Sequence, residues 1–213
     1  MTAEERTAEL RDIDRLNSWF GGHALTVREI TKIRERSSGN APPVIVDVGG
    51  GRAGLARRLI RQERLAHIIV VDRDHDALAS GRATARGYPR IHFVCADGAA
   101  LPLRRQSVDI ATMCLLLHHM VPKGAVAVLR EMRRVARQGI VVNDLLRSRG
   151  ALALVWLGTR LFAKTRMARH DGPLSVRRSY AANEIRDFAQ TAGFARIRVQ
   201  RYRCLARLIA VMS

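Results

Sequence analysis

A chain of 213 residues, 47% of them hydrophobic, is long enough for one large domain and too short for two comfortable ones. Cys95, Cys114 and Cys204 lie far apart with no Cys-x-x-Cys. That spacing points away from a disulfide framework or a zinc site and predicts buried free thiols in a reducing cytosol. The formal net charge is +18, and residues 121–213 hold 19 Lys plus Arg against 5 Asp plus Glu; such a balance attracts nucleic acid, anionic lipid or acidic partners, but charge alone does not name one.

In chain order, the opening is acidic, with Glu4, Glu5 and Glu9, and unlike a secretory signal. Leu10, Ile13, Leu16 and Phe20, with Trp19, recur at helical spacing, which predicts a short helix over 3–20 ending at Gly21-Gly22. A second helix follows from His23 to about Arg36, then a Pro/Ser/Gly loop over 37–43. Val44-Ile45-Val46-Asp47-Val48 is a β-branched apolar run that stops at Gly49-Gly50-Gly51, and Leu55, Ala56, Leu59 and Ile60 then recur at helical spacing. Gly49, Gly51 and Gly54 fit G-x-G-x-x-G, a strand–turn–helix in which the missing Cβ atoms let the backbone turn sharply and approach a ligand.

Strands are predicted at 67–72, 90–94, 108–116 and 139–144, alternating with helices at 75–86 and 123–137. This alternation predicts an α/β, Rossmann-like doubly wound sheet. Residues 148–180 insert an apolar and basic segment, read as helical over Ala151–Met167, before a helix at 181–192. The uncharged run Ala151–Thr159 is far short of the roughly 20 residues that a membrane helix needs. The final runs, 195–201 and 205–212, are too close for a parallel crossover and must form an antiparallel hairpin, which completes seven strands.

Ligands of such a sheet bind at the carboxyl ends of its strands. There stand Asp47 and the glycines, Asp72 (18 residues after Gly54), Asp97-Gly98 in a turn, and the run Cys114-Leu115-Leu116-Leu117-His118-His119. An acid at position 72 can accept both hydroxyls of a ribose. Asp109 reads as a strand-start residue rather than a catalyst.

These motifs together resemble the class I S-adenosylmethionine-dependent methyltransferases. The likeness rests on Val46-Asp47-Val48-Gly49-Gly50-Gly51-x-x-Gly54, Val70-Val71-Asp72-Arg73-Asp74, Ala96-Asp97, Leu101-Pro102-Leu103, Ser107-Val108-Asp109 and the Leu-His-His ending. It covers residues 40–145 most strongly, and the closing hairpin agrees with it. The resemblance implies S-adenosylmethionine as cofactor and S-adenosylhomocysteine as product. Gly49 and Gly51 would approach the methionine part, Asp47 would order the loop, and Asp72 would bind the ribose. Arg73 would lie beside the adenine, Asp97 with Gly98 would meet its edge, and Cys114 or Leu115 would lend a carbonyl. The implied division is a helical cap over 1–40, a cofactor-binding core over 41–147, a lid insertion over 148–180, and a last helix and hairpin over 181–213, all one domain.

No Asn-Pro-Pro-Tyr-like or Asp-Pro-Pro-Tyr-like motif follows the fourth strand, and Leu-Leu-Leu-His-His resembles the small-molecule branch, including ubiquinone and menaquinone methyltransferases. A further likeness is to methyltransferases associated with type III polyketide synthases, which modify phenolic lipids. It rests on Asn143-Asp144-Leu145-x-Arg147 and on His170-Asp171-Gly172-Pro173-Leu174-Ser175-Val176-x-Arg178-Ser179-Tyr180. The expected acceptor is a small, hydrophobic phenol or quinol methylated on oxygen. His119 is the first candidate base, then His118, because a neutral imidazole can take a phenol's proton near pH 7; His170 and Asp144 are weaker candidates.

Trp19, Phe20, Leu152, Leu154, Trp156, Leu157, Leu161 and Phe162 are expected to cover the acceptor. Interleaved Arg149, Arg160, Lys164, Arg166 and Arg169 would suit a cytoplasmic protein that rests on an anionic membrane surface. Competing readings are a dinucleotide-binding dehydrogenase, a nucleic-acid methyltransferase suggested by the +18 charge, and a catalytically silent cofactor-binding protein.

Overall fold

Apolar runs that return through amphipathic helices pair parallel, whereas the two closing runs are near enough in sequence to pair antiparallel. The computed structural model describes residues 17, 21–37, 41–163 and 165–213. The helix expected over 3–20 lies outside them except for Asn17, as do Trp19, Phe20 and Lys164. The described elements are α1 (Gly22–Glu35), β1 (Val44–Val48), α2 (Gly54–Gln62), β2 (His67–Asp72), α3 (His75–Thr84), β3 (Ile91–Cys95), β4 (Val108–Cys114), α4 (Pro122–Val135) and β5 (Ala136–Leu145). They continue with α5 (Arg149–Phe162), α6 (Arg166–Arg178), α7 (Ala182–Thr191), β6 (Ile197–Tyr202) and β7 (Arg207–Met212). The seven strands form one sheet in the order β3-β2-β1-β4-β5-β7-β6, in which only β6 and β7 introduce antiparallel pairing.

Alternation along the strands divides the core. Val46, Val48, Met113, Ile140 and Val142 pack with Leu129 and Met132 of α4 and Ile185 of α7. Ile45, Ile110 and Val141 turn the other way, onto Ile30 of α1 and Leu55 and Leu59 of α2. Asn143 joins α1 to the sheet: its Nδ2 donates to the Gly22 carbonyl at 2.7 Å and to Thr26 Oγ1 at 2.8 Å. Asp109 lies at the amino end of β4, where it accepts from the Val44 amide at 2.8 Å and pairs with Arg137 at 3.1 Å. It ties strands together on the side opposite the carboxyl-end loops, as its reading as a strand-start residue requires.

Two expectations need correction. The insertion is a pair of packed helices rather than one helix over 151–167, because the chain becomes extended at Ala163 and restarts at Thr165. The Thr165 hydroxyl accepts from the Ala168 amide at 3.2 Å and so caps α6, a local signal with no Gly or Pro to announce it. Pro173, which a sequence reading takes as a helix breaker, sits inside α6. The thiols are also not uniformly buried. Cys95 and Cys204 are exposed, the first at a strand end and the second in a turn between β6 and β7, and only Cys114 is enclosed enough for burial to push its thiol up to about 11.

Candidate active site

The carboxyl ends of β1, β2 and β3 carry a polar rim. The β1–α2 turn requires left-handed backbone at Gly49 (φ 72°) and Gly51 (φ 43°). A Cβ on Gly49 would fall 2.5 Å from Leu116 Cδ2, and one on Gly50 would fall 2.6 Å from Asp47 Oδ2. The turn is therefore closed around the buried Asp47 and leaves no room for side chains of its own. Asp72 accepts from the Gly51 amide at 3.0 Å and from the Asp74 amide at 2.9 Å, one bond per carboxylate oxygen. Burial raises its pKa, an effect partly offset by those amides. Each oxygen retains a lone pair for a further donor. Arg73 and Asp97 are exposed beside it, and Asp97 shapes its own turn by accepting from the Ala99 amide at 2.8 Å. Gly98 fits tightly against β1: a Cβ there would meet Val48 Cγ1 at 2.8 Å.

This arrangement suits a nucleoside cofactor. Bare glycine backbone faces the rim, and the acids stand at the second and third strand ends, where hydroxyl and amino donors can reach them. Leu115, just past β4, adds a left-handed backbone (φ 55°) that is unfavourable for a residue with a Cβ and is held by its amide bond to the Asn143 carbonyl at 2.9 Å.

Beyond Leu115 the chemistry changes. A mostly apolar cavity of about 150 Å³ is walled by Leu115, His118 and His119 on one side, Leu145, Leu205 and Arg207 from the β5–β7 end, and Val155, Thr159, Ala168 and Ser175 from the insertion. The buried His118 rests on Asp144: its Nδ1 lies 2.6 Å from Oδ1, and its backbone amide donates to Oδ2 at 3.0 Å. Burial opposes ionisation of Asp144, but the His118 ring and the amides of His118 and Leu145 outweigh it and hold the carboxyl below the usual carboxylate range. An ionised Asp144 can only accept, so Nδ1 carries a proton toward it and Nε2 points away from the carboxylate. The His119 ring lies 4.1 Å from that of His118, and desolvation, followed by the charge of His118, lowers its pKa.

His118 and His119 thus meet at one wall, whereas His170 does not join them. It is exposed on α6, with Nδ1 3.0 Å from Asp171 Oδ1, and faces a separate surface depression beside Arg166 and Arg177. Trp156, Leu157, Leu161 and Phe162 stand in solvent, and Val155 and Thr159 face the cavity in their place. Sequence reasoning missed Asn17 and Arg207 altogether. Asn17 donates to Cys114 Sγ at 3.3 Å across 97 positions, and no local pattern marks either residue.

Residues 45–139 match the family model described as a methyltransferase domain. A comparison with curated protein sequences finds no match. Among solved structures, an S-adenosylmethionine-dependent methyltransferase from Aquifex aeolicus superposes with a TM-score of 0.61 at 14% identity, covering 87% of each chain. Magnesium protoporphyrin IX methyltransferase from Synechocystis PCC 6803, with S-adenosylhomocysteine bound, gives 0.62 at 19% identity over 90% of this chain and 83% of its own. The CurJ carbon methyltransferase gives 0.67 at 13% identity over 89% of this chain and 53% of its own. The chain thus spans about half the length of that structure, as it does of several others that it matches. Together, the family model over residues 45–139 and the sheet order agree with the fold of a methyltransferase domain. The fold neighbours thus include one named as S-adenosylmethionine-dependent and one named for a porphyrin substrate.

Proposed function

We propose that this protein transfers the methyl group of S-adenosylmethionine to an oxygen of a small, hydrophobic, phenolic or quinolic acceptor. The observation that carries the reading is the His118–Asp144 pair, 2.6 Å apart, in the wall of an apolar cavity next to the glycine turn. A mostly apolar cavity of about 150 Å³ is the size that holds one benzene ring. Leu116 lies against Gly49 and Leu115 lines the cavity, so the cofactor rim and the acceptor cavity adjoin.

Bound S-adenosylmethionine supplies a methyl group activated on a sulfonium. The chain's work is to align the acceptor, exclude water and take the hydroxyl proton. Gly49, Gly51 and the carbonyl of Cys114 or Leu115 border the methionine part, and Asp47 holds the glycine turn. Asp72 receives the ribose hydroxyls, Arg73 lies by the adenine, and Asp97 with Gly98 meets its edge. His118 accepts the acceptor's proton at Nε2, and Asp144 positions the ring through Nδ1. His119, whose depressed pKa keeps it neutral, lines the wall beside it. The two insertion helices serve as the lid.

The test is incubation of the protein with methyl-labelled S-adenosylmethionine and a panel of alkylphenols and quinols, read by mass spectrometry. A labelled methyl ether whose single-turnover rate falls about 100-fold in His118→Ala is the expected result. Labelled product on carbon, or no slowing in either His118→Ala or His119→Ala, would overturn the oxygen-directed reading.

A second reading concerns where the acceptor comes from. Trp156, Leu157, Leu161, Phe162 and Met167 are exposed beside Arg160 and Arg166, a combination that suits an anionic membrane surface. Among the described residues, no helix is long and apolar enough to cross a membrane. Salt-sensitive sedimentation with phosphatidylglycerol vesicles, lost in Trp156→Ser/Phe162→Ser, is expected; absence of sedimentation at low salt would remove this reading.

A further inference from the structure

Arg207 opens β7 at the edge of the same cavity, yet the reaction described above does not use it. It is buried, with 4% of its surface exposed, and its Nε and Nη1 atoms have no hydrogen-bond partner. A guanidinium cannot shed its proton in a protein, so burial leaves a fixed charge that must be compensated. Among the buried acids of the described residues, Asp47 closes the glycine turn, and the other two have made different commitments. Glu29 is met by Lys32 at 2.9 Å and by Arg198 on β6. Asp144 acts on Arg207 through space, but its two oxygens are already engaged by His118 and the Leu145 amide. Across the cavity, the buried Asn17 Oδ1 also has no hydrogen-bond partner. A cation with open donors and an amide acceptor thus line one mostly apolar cavity, whose other polar lining is His118, His119, Thr159, Ser175 and the His170-paired Asp171.

An unpaired buried charge costs several kcal/mol, and the group that relieves such a cost with a guanidinium's geometry is a planar carboxylate, held by two parallel N–H···O bonds. We propose that Arg207 is the carboxylate-receiving residue of this cavity. This rests on the reading of the cavity as the acceptor side of a methyl-transfer site, and it narrows the acceptor to an apolar ring that bears an acid. Four insertion residues, Val155, Thr159, Ala168 and Ser175, wall the same space, which favours the acceptor over the cofactor's methionine as the source of the carboxylate.

Calorimetry can separate the two sources. In one arm, 4-hydroxybenzoate and uncharged phenol are titrated into the protein saturated with S-adenosylhomocysteine. In the other, S-adenosylhomocysteine and 5′-methylthioadenosine, which lacks the carboxylate, are titrated into the free protein. The wild type is expected to prefer 4-hydroxybenzoate over phenol by about tenfold or more, Arg207→Met to lose that preference, and Arg207→Lys to keep part of it. Loss of that preference with an unchanged affinity of Arg207→Met for S-adenosylhomocysteine assigns the carboxylate to the acceptor, and the unchanged affinity also shows that the variant is folded. If instead Arg207→Met weakens S-adenosylhomocysteine but not 5′-methylthioadenosine, the acceptor assignment is overturned in favour of the cofactor's carboxylate. If neither pair of ligands responds to the substitution, Arg207 receives no carboxylate at all. Failure of the wild type to bind S-adenosylhomocysteine would overturn the methyl-transfer reading itself, a result distinct from both.

Discussion

The two halves of the carboxyl-end rim are built on different principles. On the β1–β3 side, Asp72 and Asp97 are held by the backbone of nearby turns: Asp72 by the Gly51 and Asp74 amides, Asp97 by the Ala99 amide. On the β4–β7 side, residues as distant as Asn17, His118, Thr159 and Arg207 meet at one cavity, where Asp144 holds His118 from 26 positions away and Asn17 reaches Cys114 across 97. The first half repeats wherever the same cofactor must be bound. The second can be changed one segment at a time without disturbing the first, which is how one fold serves many acceptors.

Four measurements test that division, in descending order of effect. Gly49→Val puts a β-branched residue at φ 72° with Leu116 Cδ2 2.5 Å from its Cβ position. S-adenosylhomocysteine affinity by calorimetry should fall about 1,000-fold, or ~4 kcal/mol; retention of affinity would break the assignment of the cofactor to this turn.

His23 lies on α1 between the halves, near Arg207 on one side and Arg57 and Arg58 on the other, and burial, reinforced by those cations, lowers its pKa to about 4 from 6.5. The folded state therefore binds fewer protons than the unfolded chain between those values. Stability is full above pH 6.5 and falls as the pH drops toward 4, by about 3 kcal/mol in all. Urea unfolding across this range should show the loss, and His23→Gln should flatten it; a flat wild-type profile would contradict the burial of a neutral His23.

Asp144→Asn should reduce single-turnover methylation about 100-fold, because an amide can donate to His118 and favour the wrong tautomer. S-adenosylhomocysteine affinity should stay within about twofold. A parallel loss of both would mean that the halves are not separable. The smallest effect is expected from Ser148→Ala, which removes the α5 cap that accepts from the Ala151 amide at 3.1 Å. It should cost about 1 kcal/mol of stability by thermal unfolding and leave cofactor affinity unchanged. A change in that affinity would tie the insertion to the cofactor half.

Legibility in the sequence follows the same division. Strand, turn and helix around 44–62 were readable because a β-branched run, a glycine turn and a 3.6-residue period are all local. Asp47, Asp72 and Asp97 stood out as acids at the ends of such runs. The single helix read over Ala151–Met167 is two helices because the break between Ala163 and Thr165 carries only a threonine cap, with no glycine or proline to mark it. Cys95 and Cys204 were expected in the interior from their apolar neighbours, but a strand end and a turn leave them exposed. Between the two histidines, sequence favoured His119 by a small margin. The support for His118 comes from Asp144, 26 positions away.

By itself, then, the sequence determined the class of fold and the order of the rim, because periodicity and turn chemistry are properties of neighbouring residues. Only the tertiary structure decided which imidazole is backed by a carboxylate and where the insertion turns. It also left Arg207 buried with open donors, a state that depends on what β5, β7 and the insertion bring together across the sheet. The physical reason is that a buried charge is defined by the partners it lacks, and those belong to segments that meet only when the chain has folded.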